Sequence, residues 1–274
     1  MRQVHLLNID VHNLTMHELL EKLRLGGTVF TPNADHLVKL QTDYEFYRAY
    51  QNVDYKVCDS KVLVYASHLL GTPIQEKISG SDLFPAFYNY YRNDPNVKIF
   101  LLGAAPGVAE IAKQRINAKV GRDMIVAVHS PSYGFEKNEA ECSEIVELIK
   151  QSGATVLAVG VGAPKQEKWI MQHKDQLPQI KTFLAIGATI DFEAGNVARS
   201  PQWMSNAGLE WLYRILCEPK RLWKRYLVHD LPIVWYFLQQ RFKRYQNPWA
   251  SEIPVLTSKP RSLVETIGQN TSVL

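Results

Sequence analysis

Asp59 closes the segment Tyr55–Cys58, which reads as a β-strand. In open α/β sheets ligands bind beyond the carboxyl ends of the strands, so an acid at that point is a candidate base for a bound hydroxyl. A helix N-cap ahead of Lys61 is the plainer reading of the same residue. Thr31 and Asn33 end another strand, Thr28–Thr31, and can hydrogen-bond a sugar or phosphate. Two glycine loops follow apolar strands and precede helices: Gly103-Ala-Ala-Pro-Gly107 and Gly160-Val-Gly162-Ala163-Pro164-Lys165-Gln166-Glu167. Helix N-terminal N–H groups favour an anion there, although a tight βα turn alone also asks for glycine. Lys165, Gln166 and Glu167 fall on the first helical turn, aimed at the strand edge.

Several chemistries are disfavoured. Neither loop has the G-x-G-x-x-G spacing of a dinucleotide fold, and no G-x-x-x-x-G-K-[ST] occurs. The eight histidines form no H-x-x-H or H-E-x-x-H pair, and no G-x-S-x-G is present. Asp191-Phe-Glu193 is the nearest approach to a D-x-D metal motif, and a loop acid is the plainer reading. The three cysteines, Cys58, Cys142 and Cys217, are far apart and form no C-x-x-C, which points to a reducing compartment without a disulfide framework.

The elements that must position these residues alternate. Val4–Ile9 reads as a strand, and Thr15-Met-His-Glu18 as a capping box opening a helix that Gly26-Gly27 stops. Further strands are expected at Val97–Leu102, Met124–Val128, Ala154–Val159 and Thr182–Ile186. The intervening helices include Ser81–Tyr91 and Asn138–Gln151. This order predicts an α/β, Rossmann-like parallel sheet with helices on both faces. After Trp203 the strand signals stop, and Trp203–Cys217, Pro219–Val228 and Leu231–Tyr245 read as three helices. The expected organisation is an α/β core over 1–200, a basic helical appendage over 201–245 and a disordered tail over 246–274.

Charge separates along the chain in the same way. The 274 residues carry a net charge of +4, but eight basic and only two acidic residues lie between Arg214 and Arg244. That stretch therefore holds +6 and leaves −2 for the rest. Its arginines suit phosphate, and its interleaved Trp, Tyr and Phe suit a bilayer interface. No nucleic-acid-binding module is evident. The longest apolar run, Leu231–Leu238, is too short to span a bilayer, and the N-terminus is too polar for a signal peptide.

Several pieces, in this order, resemble the WecG/TagA/CpsF glycosyltransferases of bacterial cell-surface polysaccharide synthesis. They are Thr31-Pro-Asn-Ala-Asp-His36, Gly80-Ser-Asp-Leu83, Phe100-Leu-Leu-Gly-Ala104, Gly160–Glu167, Gly187-Ala-Thr-Ile-Asp191, Gly208–Arg214, Glu218-Pro-Lys-Arg221 and Lys224-Arg-Tyr226. The resemblance implies an inverting transfer, without metal or other cofactor, of an N-acetylmannosamine-type sugar from UDP to a polyprenyl-diphosphate-linked sugar. It implies a cytoplasmic enzyme held peripherally on the inner face of the plasma membrane. By motif, Asp59 resembles the proposed base, with Thr31 and Asn33 beside it in the pocket. Gly103, the Gly160–Glu167 loop and Asp191 resemble donor-binding positions. Arg214, Arg221 and Arg225 resemble arginines of an appendage that closes over the site. The acid is usually followed by glycine, and here by Ser60. Transfer of another sugar such as glucose, a non-catalytic UDP-sugar-binding membrane module, and a homo-oligomer all stay open.

Overall fold

The computed structural model describes residues 2–201, 204, 209–217, 219–224 and 228–252. A six-stranded parallel sheet runs through the core in the order β4 (Tyr55–Lys56), β3 (Gly27–Phe30), β8 (Thr182–Ala185), β7 (Val156–Gly160), β5 (Ile99–Gly103), β6 (Ile125–His129). Successive side chains of a strand point to opposite faces, and the apolar strands of this sheet are buried on both. Phe100, Leu102, Leu157 and Val159 enter one apolar cluster. Ile99, Leu101, Val156 and Ala158 enter the other.

Helices cover both faces, as the alternation of elements predicts. One face carries α2 (Ala34–Lys39), α3 (Tyr44–Gln51), α4 (Lys61–Leu69), α7 (Glu139–Gln151) and α8 (Lys165–His173). The other carries α1 (Met16–Lys22), α5 (Gly80–Tyr90), α6 (Val108–Val120) and α9 (Thr189–Ala194). Local signals set several ends. Thr15 and Glu18 form the reciprocal capping box of α1. The left-handed Gly121, with φ of 79°, ends α6.

Two local readings need correction, and one helix joins those expected. The apolar stretch Val4–Ile9 is not one strand but the turn of an antiparallel hairpin, β1 (Gln3–Leu6) with β2 (Ile9–His12). Leu7 there takes a positive φ of 55°. Gln240, from the far end of the chain, supports this turn by accepting from Leu7 N–H and donating to His5 C=O, both at 2.9 Å. The added helix is α3, which no glycine or proline marks off in the sequence and which Asp43 caps. The acid pair Asp191 and Glu193 lies on helix α9, not in a loop.

Neighbouring strands send their loops to opposite faces at four places, one of them β5/β6, where the β6 loop leads to α7. The β3 and β7 loops lead to α2 and α8 on one face, and the β8 and β5 loops to α9 and α6 on the other. The β3/β8, β8/β7 and β7/β5 pairs carry Thr31, Gly187, Gly160 and Gly103 at or just beyond their carboxyl ends, where open α/β sheets take their ligands, and there the candidate crevice lies.

Residues 233–249 return to the core. In the helix Pro232–Arg241, Ile233 and Phe237 join the cluster under α2. Tyr245 donates to Gln41 Oε1 at 2.6 Å, and Trp249 Nε1 to the Leu40 carbonyl at 2.8 Å. Val234, Trp235 and Leu238 on the same helix face away from this contact and are exposed.

Candidate active site

Asp59 and the Thr31–Asn33 segment come together at the carboxyl edge of β3 and β4. The two chains continue side by side past the formal strands: Val57 N–H donates to Phe30 C=O at 3.1 Å, and Asp59 N–H to Pro32 C=O at 2.9 Å. Asp59 is half-buried and Thr31 is buried. Ser60, not Asp59, is the N-cap of α4, its hydroxyl accepting from Val62 N–H at 3.2 Å. Ser60 thus takes the capping role. Asn33 caps α2 in the same manner, its oxygen accepting from His36 N–H at 3.1 Å.

The β7 loop is built around Gln166. Its side-chain oxygen accepts from the N–H groups of Gly162 at 3.3 Å and Gly187 at 3.1 Å, tying the loop after β7 to the loop after β8. Its amide nitrogen donates to Glu167 Oε1 at 2.8 Å. Only this orientation of the carboxamide satisfies all three partners. Both side chains are buried, Glu167 completely. Burial pushes the Glu167 carboxyl up to about 7, against the hydrogen bonds that favour its charged form. Gly162 has a φ of 85°, a conformation that favours glycine, and the Ala163–Pro164 peptide is cis. Lys165 lies over the ring of the fully exposed Tyr133, 4.9 Å from its centroid.

Glycine is also required between the strand ends. A Cβ on Gly103 would lie 2.5 Å from the Gly160 carbonyl oxygen, and one on Gly160 would lie 2.6 Å from that of Gly187. The ends of β5, β7 and β8 are therefore drawn together backbone to backbone, with the Ile190 side chain also against Gly160.

At the start of α5, Ser79 is the N-cap and Asp82 accepts from its hydroxyl at 2.6 Å. Asp82 also pairs with Arg199, which donates to Ser81 Oγ at 3.2 Å. Burial alone would raise the Asp82 carboxyl, but the hydrogen bonds from Ser79 and Arg199 outweigh it and hold it below the ordinary range. Arg199 thereby fastens the segment after α9 to the Gly80-Ser-Asp82 motif, a link with no local sequence signal.

Asp191 and Glu193 do not converge. Residues two apart on a helix point to different sides. Glu193 pairs with Lys119 at 2.8 Å and accepts from Tyr88 at 3.1 Å. Among the described residues, no group of three or more His, Cys, Asp or Glu side chains is placed to hold a metal ion.

Arg214 and Arg221 fall on the helices Glu210–Cys217 and Pro219–Lys224, but their side chains lie outside the described residues, as do Arg225 and residues 253–274. Among the described residues no helix is long and apolar enough to cross a membrane. Gly187 opens the Gly187–Asp191 piece but received no role at the site from the sequence; its position just beyond β8 was the available signal.

The chain matches the model of the Glycosyl transferase WecG/TagA/CpsF family over residues 4–247. It is 28% identical over 242 residues to an N-acetylglucosaminyldiphosphoundecaprenol N-acetyl-beta-D-mannosaminyltransferase of Staphylococcus aureus strain MRSA252. That match covers 85% of this chain and 91% of the relative. The protein of the same description from strain NCTC 8325 / PS 47 matches over the same shares at the same identity.

Proposed function

From the premise that the chain belongs to the WecG/TagA/CpsF glycosyltransferase family, we propose that it moves an N-acetylmannosamine-type sugar from a UDP-sugar to a polyprenyl-diphosphate-linked N-acetylglucosamine, inverting the anomeric centre without a metal. The relatives are named for that sugar and that acceptor. The observation that carries the reading is the docking of Asp59 against the Thr31–Asn33 strand end, at the edge where an open sheet takes its ligand. In a single displacement, Asp59 takes the proton from the acceptor hydroxyl as that oxygen attacks the anomeric carbon. Thr31 and Asn33 flank the acceptor. The crevice lined by Gly103 and Gly160–Glu167, with Asp191 beyond it, takes the donor.

The UDP leaving group gains negative charge as the glycosidic bond breaks. Helix N-terminal N–H groups and the cations Lys165, Arg214, Arg221 and Arg225 offset it. The decisive assay supplies UDP-N-acetylmannosamine and a lipid-diphosphate-linked N-acetylglucosamine and weighs the product by mass spectrometry. Growth of the lipid by one N-acetylhexosamine, together with UDP release, is expected; UDP binding without product would leave a binding module. Addition of EDTA is expected to leave the rate unchanged, and a strict Mg²⁺ or Mn²⁺ requirement would refute the metal-free step.

The acceptor's lipid calls for a bilayer surface. Exposed Val234, Trp235, Leu238 and Phe242, beside exposed Arg241, Lys243 and Arg244, support a peripheral seat on anionic lipid. Because Ile233 and Phe237 of the same helix belong to the core, point changes test this better than truncation. Val234→Gln combined with Trp235→Gln should sharply reduce flotation with anionic liposomes while leaving the melting temperature near that of the parent. Equal flotation would remove this face from the contact.

A further inference from the structure

Glu167 borders the donor crevice, yet the proposed reaction has no direct use for its carboxyl group. It stands on the first turn of α8, its side chain has no solvent exposure, and its Oε2 has no hydrogen-bonding partner. A side chain so buried cannot touch the donor without a rearrangement. It can act on what it holds, and what it holds is Gln166. By accepting from the Gln166 amide nitrogen, Glu167 Oε1 turns the carboxamide oxygen toward the N–H groups of Gly162 and Gly187. The chain Glu167–Gln166–Gly162/Gly187 therefore runs from the dry interior to two of the loops that border the crevice.

We infer that Glu167 is a positioning residue for the donor site: as the uncharged acid it locks Gln166, and its ionisation loosens the β7 and β8 loops together. The inference rests on the reading of this crevice as the donor site. An orphaned oxygen on a buried carboxylate is costly, whereas on the acid it is the hydroxyl, and the other oxygen still accepts from Gln166. The neighbours do not rescue the charge. From α2 the cation Lys39 is already paired with the buried Asp35 at 2.7 Å. Asp35 itself opposes a second negative charge at Glu167. From α3 comes the fully buried Tyr50, which feels Glu167, Asp59 and Asp35 at once. Lys168, one residue on, is engaged outward with Asp43 at 2.8 Å and Glu45 at 3.2 Å. Ionised Glu167 thus has Gln166, its own backbone N–H and a share of Lys39 to set against complete burial and the charge of Asp35, and burial outweighs them, so that the first turn of α8 must shift to relieve the charge.

The sign is fixed by the direction of the shift. The carboxyl holds its proton up to about 7 in the folded protein, against an ordinary value of 4.5. The native state therefore binds the extra proton between those values, and stability falls as pH rises through that window. Glu167→Gln keeps an acceptor for Gln166 and replaces the acid's hydroxyl with an amide donor that cannot ionise.

The test uses the full chain labelled with ¹⁵N-glycine. In the parent, the Gly162 and Gly187 amide signals should move with pH around a midpoint near 7, and in Glu167→Gln they should stay still. UDP affinity is measured alongside as the ratio of variant to parent, because the terminal phosphate of UDP titrates nearby, at about 6. That ratio should be near one at about pH 6 and rise to roughly threefold to tenfold at about pH 8.5. The melting temperature of the parent should fall between about pH 5 and pH 7.5 while that of the variant does not. Glycine signals that titrate equally in both proteins, or a ratio that is flat across the range, would overturn the inference. A parent chain that fails to bind UDP but shows the glycine titration would instead remove the donor-site reading and leave the Glu167–Gln166 lock standing.

Discussion

Replacing Asp59 with Asn should lower turnover by roughly 10²- to 10⁴-fold, the range by which a positioned general base accelerates proton transfer. UDP affinity should stay within about twofold, because the change removes one charge from the acceptor side of the edge and leaves the crevice intact. The substitution is isosteric, and the backbone bond from residue 59 to the Pro32 carbonyl does not involve the side chain. Ser60 continues to cap α4, so the helix end is not disturbed. A stability cost well under that of a lost cap, about 1 kcal/mol, is therefore expected. Pre-steady-state measurement with saturating donor and lipid acceptor separates chemistry from release. Near-normal turnover would remove Asp59 as the base. Unchanged chemistry with weakened UDP binding would move it to the donor.

Gly103→Ala should be the most destabilising of the loop changes, by roughly 4 kcal/mol, with UDP binding lost in parallel. Two independent penalties act at this residue. Its φ of 134° is one that side-chain-bearing residues rarely adopt, and a Cβ would stand 2.5 Å from the Gly160 carbonyl oxygen. That obstacle is backbone in the neighbouring strand, paired in register with Gly103 itself, so it cannot swing aside as a side chain would. Gly121→Ala is the matched control. Its φ is also positive, at 79°, but nothing lies within 4 Å of the added atom. It should cost only about 1 kcal/mol, the penalty of the left-handed conformation alone. Urea unfolding of the two variants measures the difference. A gap below about 1 kcal/mol would show that the three strand ends can part without cost.

How much of the site is legible in the sequence depends on the distance over which each residue is determined. The Thr15/Glu18 capping box and the strand-then-glycine pattern before α8 are settled within four or five residues, and each appears as read. The family pieces from Thr31 to Tyr226 are equally local in character, and the matched family spans residues 4–247. Asp59 marked itself as a strand-end acid. That Ser60 rather than Asp59 caps α4 was not readable, since both residue types cap well and only the backbone course beside Pro32 separates them.

The amino-acid sequence by itself determined the α/β alternation, the glycines at the strand ends, the segregation of positive charge near the C-terminus and the family. Tertiary structure alone decided the strand order 4-3-8-7-5-6 and hence which loops share a crevice. It also decided the hairpin at Leu7, held by Gln240, and the return of Ile233 and Phe237 to the core. Its largest effect is on Glu167, which a helical-turn reading aims at the ligand and which packing against α2 and α3 buries completely. The physical reason is common to all of these. Turns and caps are closed by hydrogen bonds between residues a few positions apart. Strand order, burial and the state of a buried acid depend on groups tens to hundreds of residues away, which meet only when the whole sheet has formed.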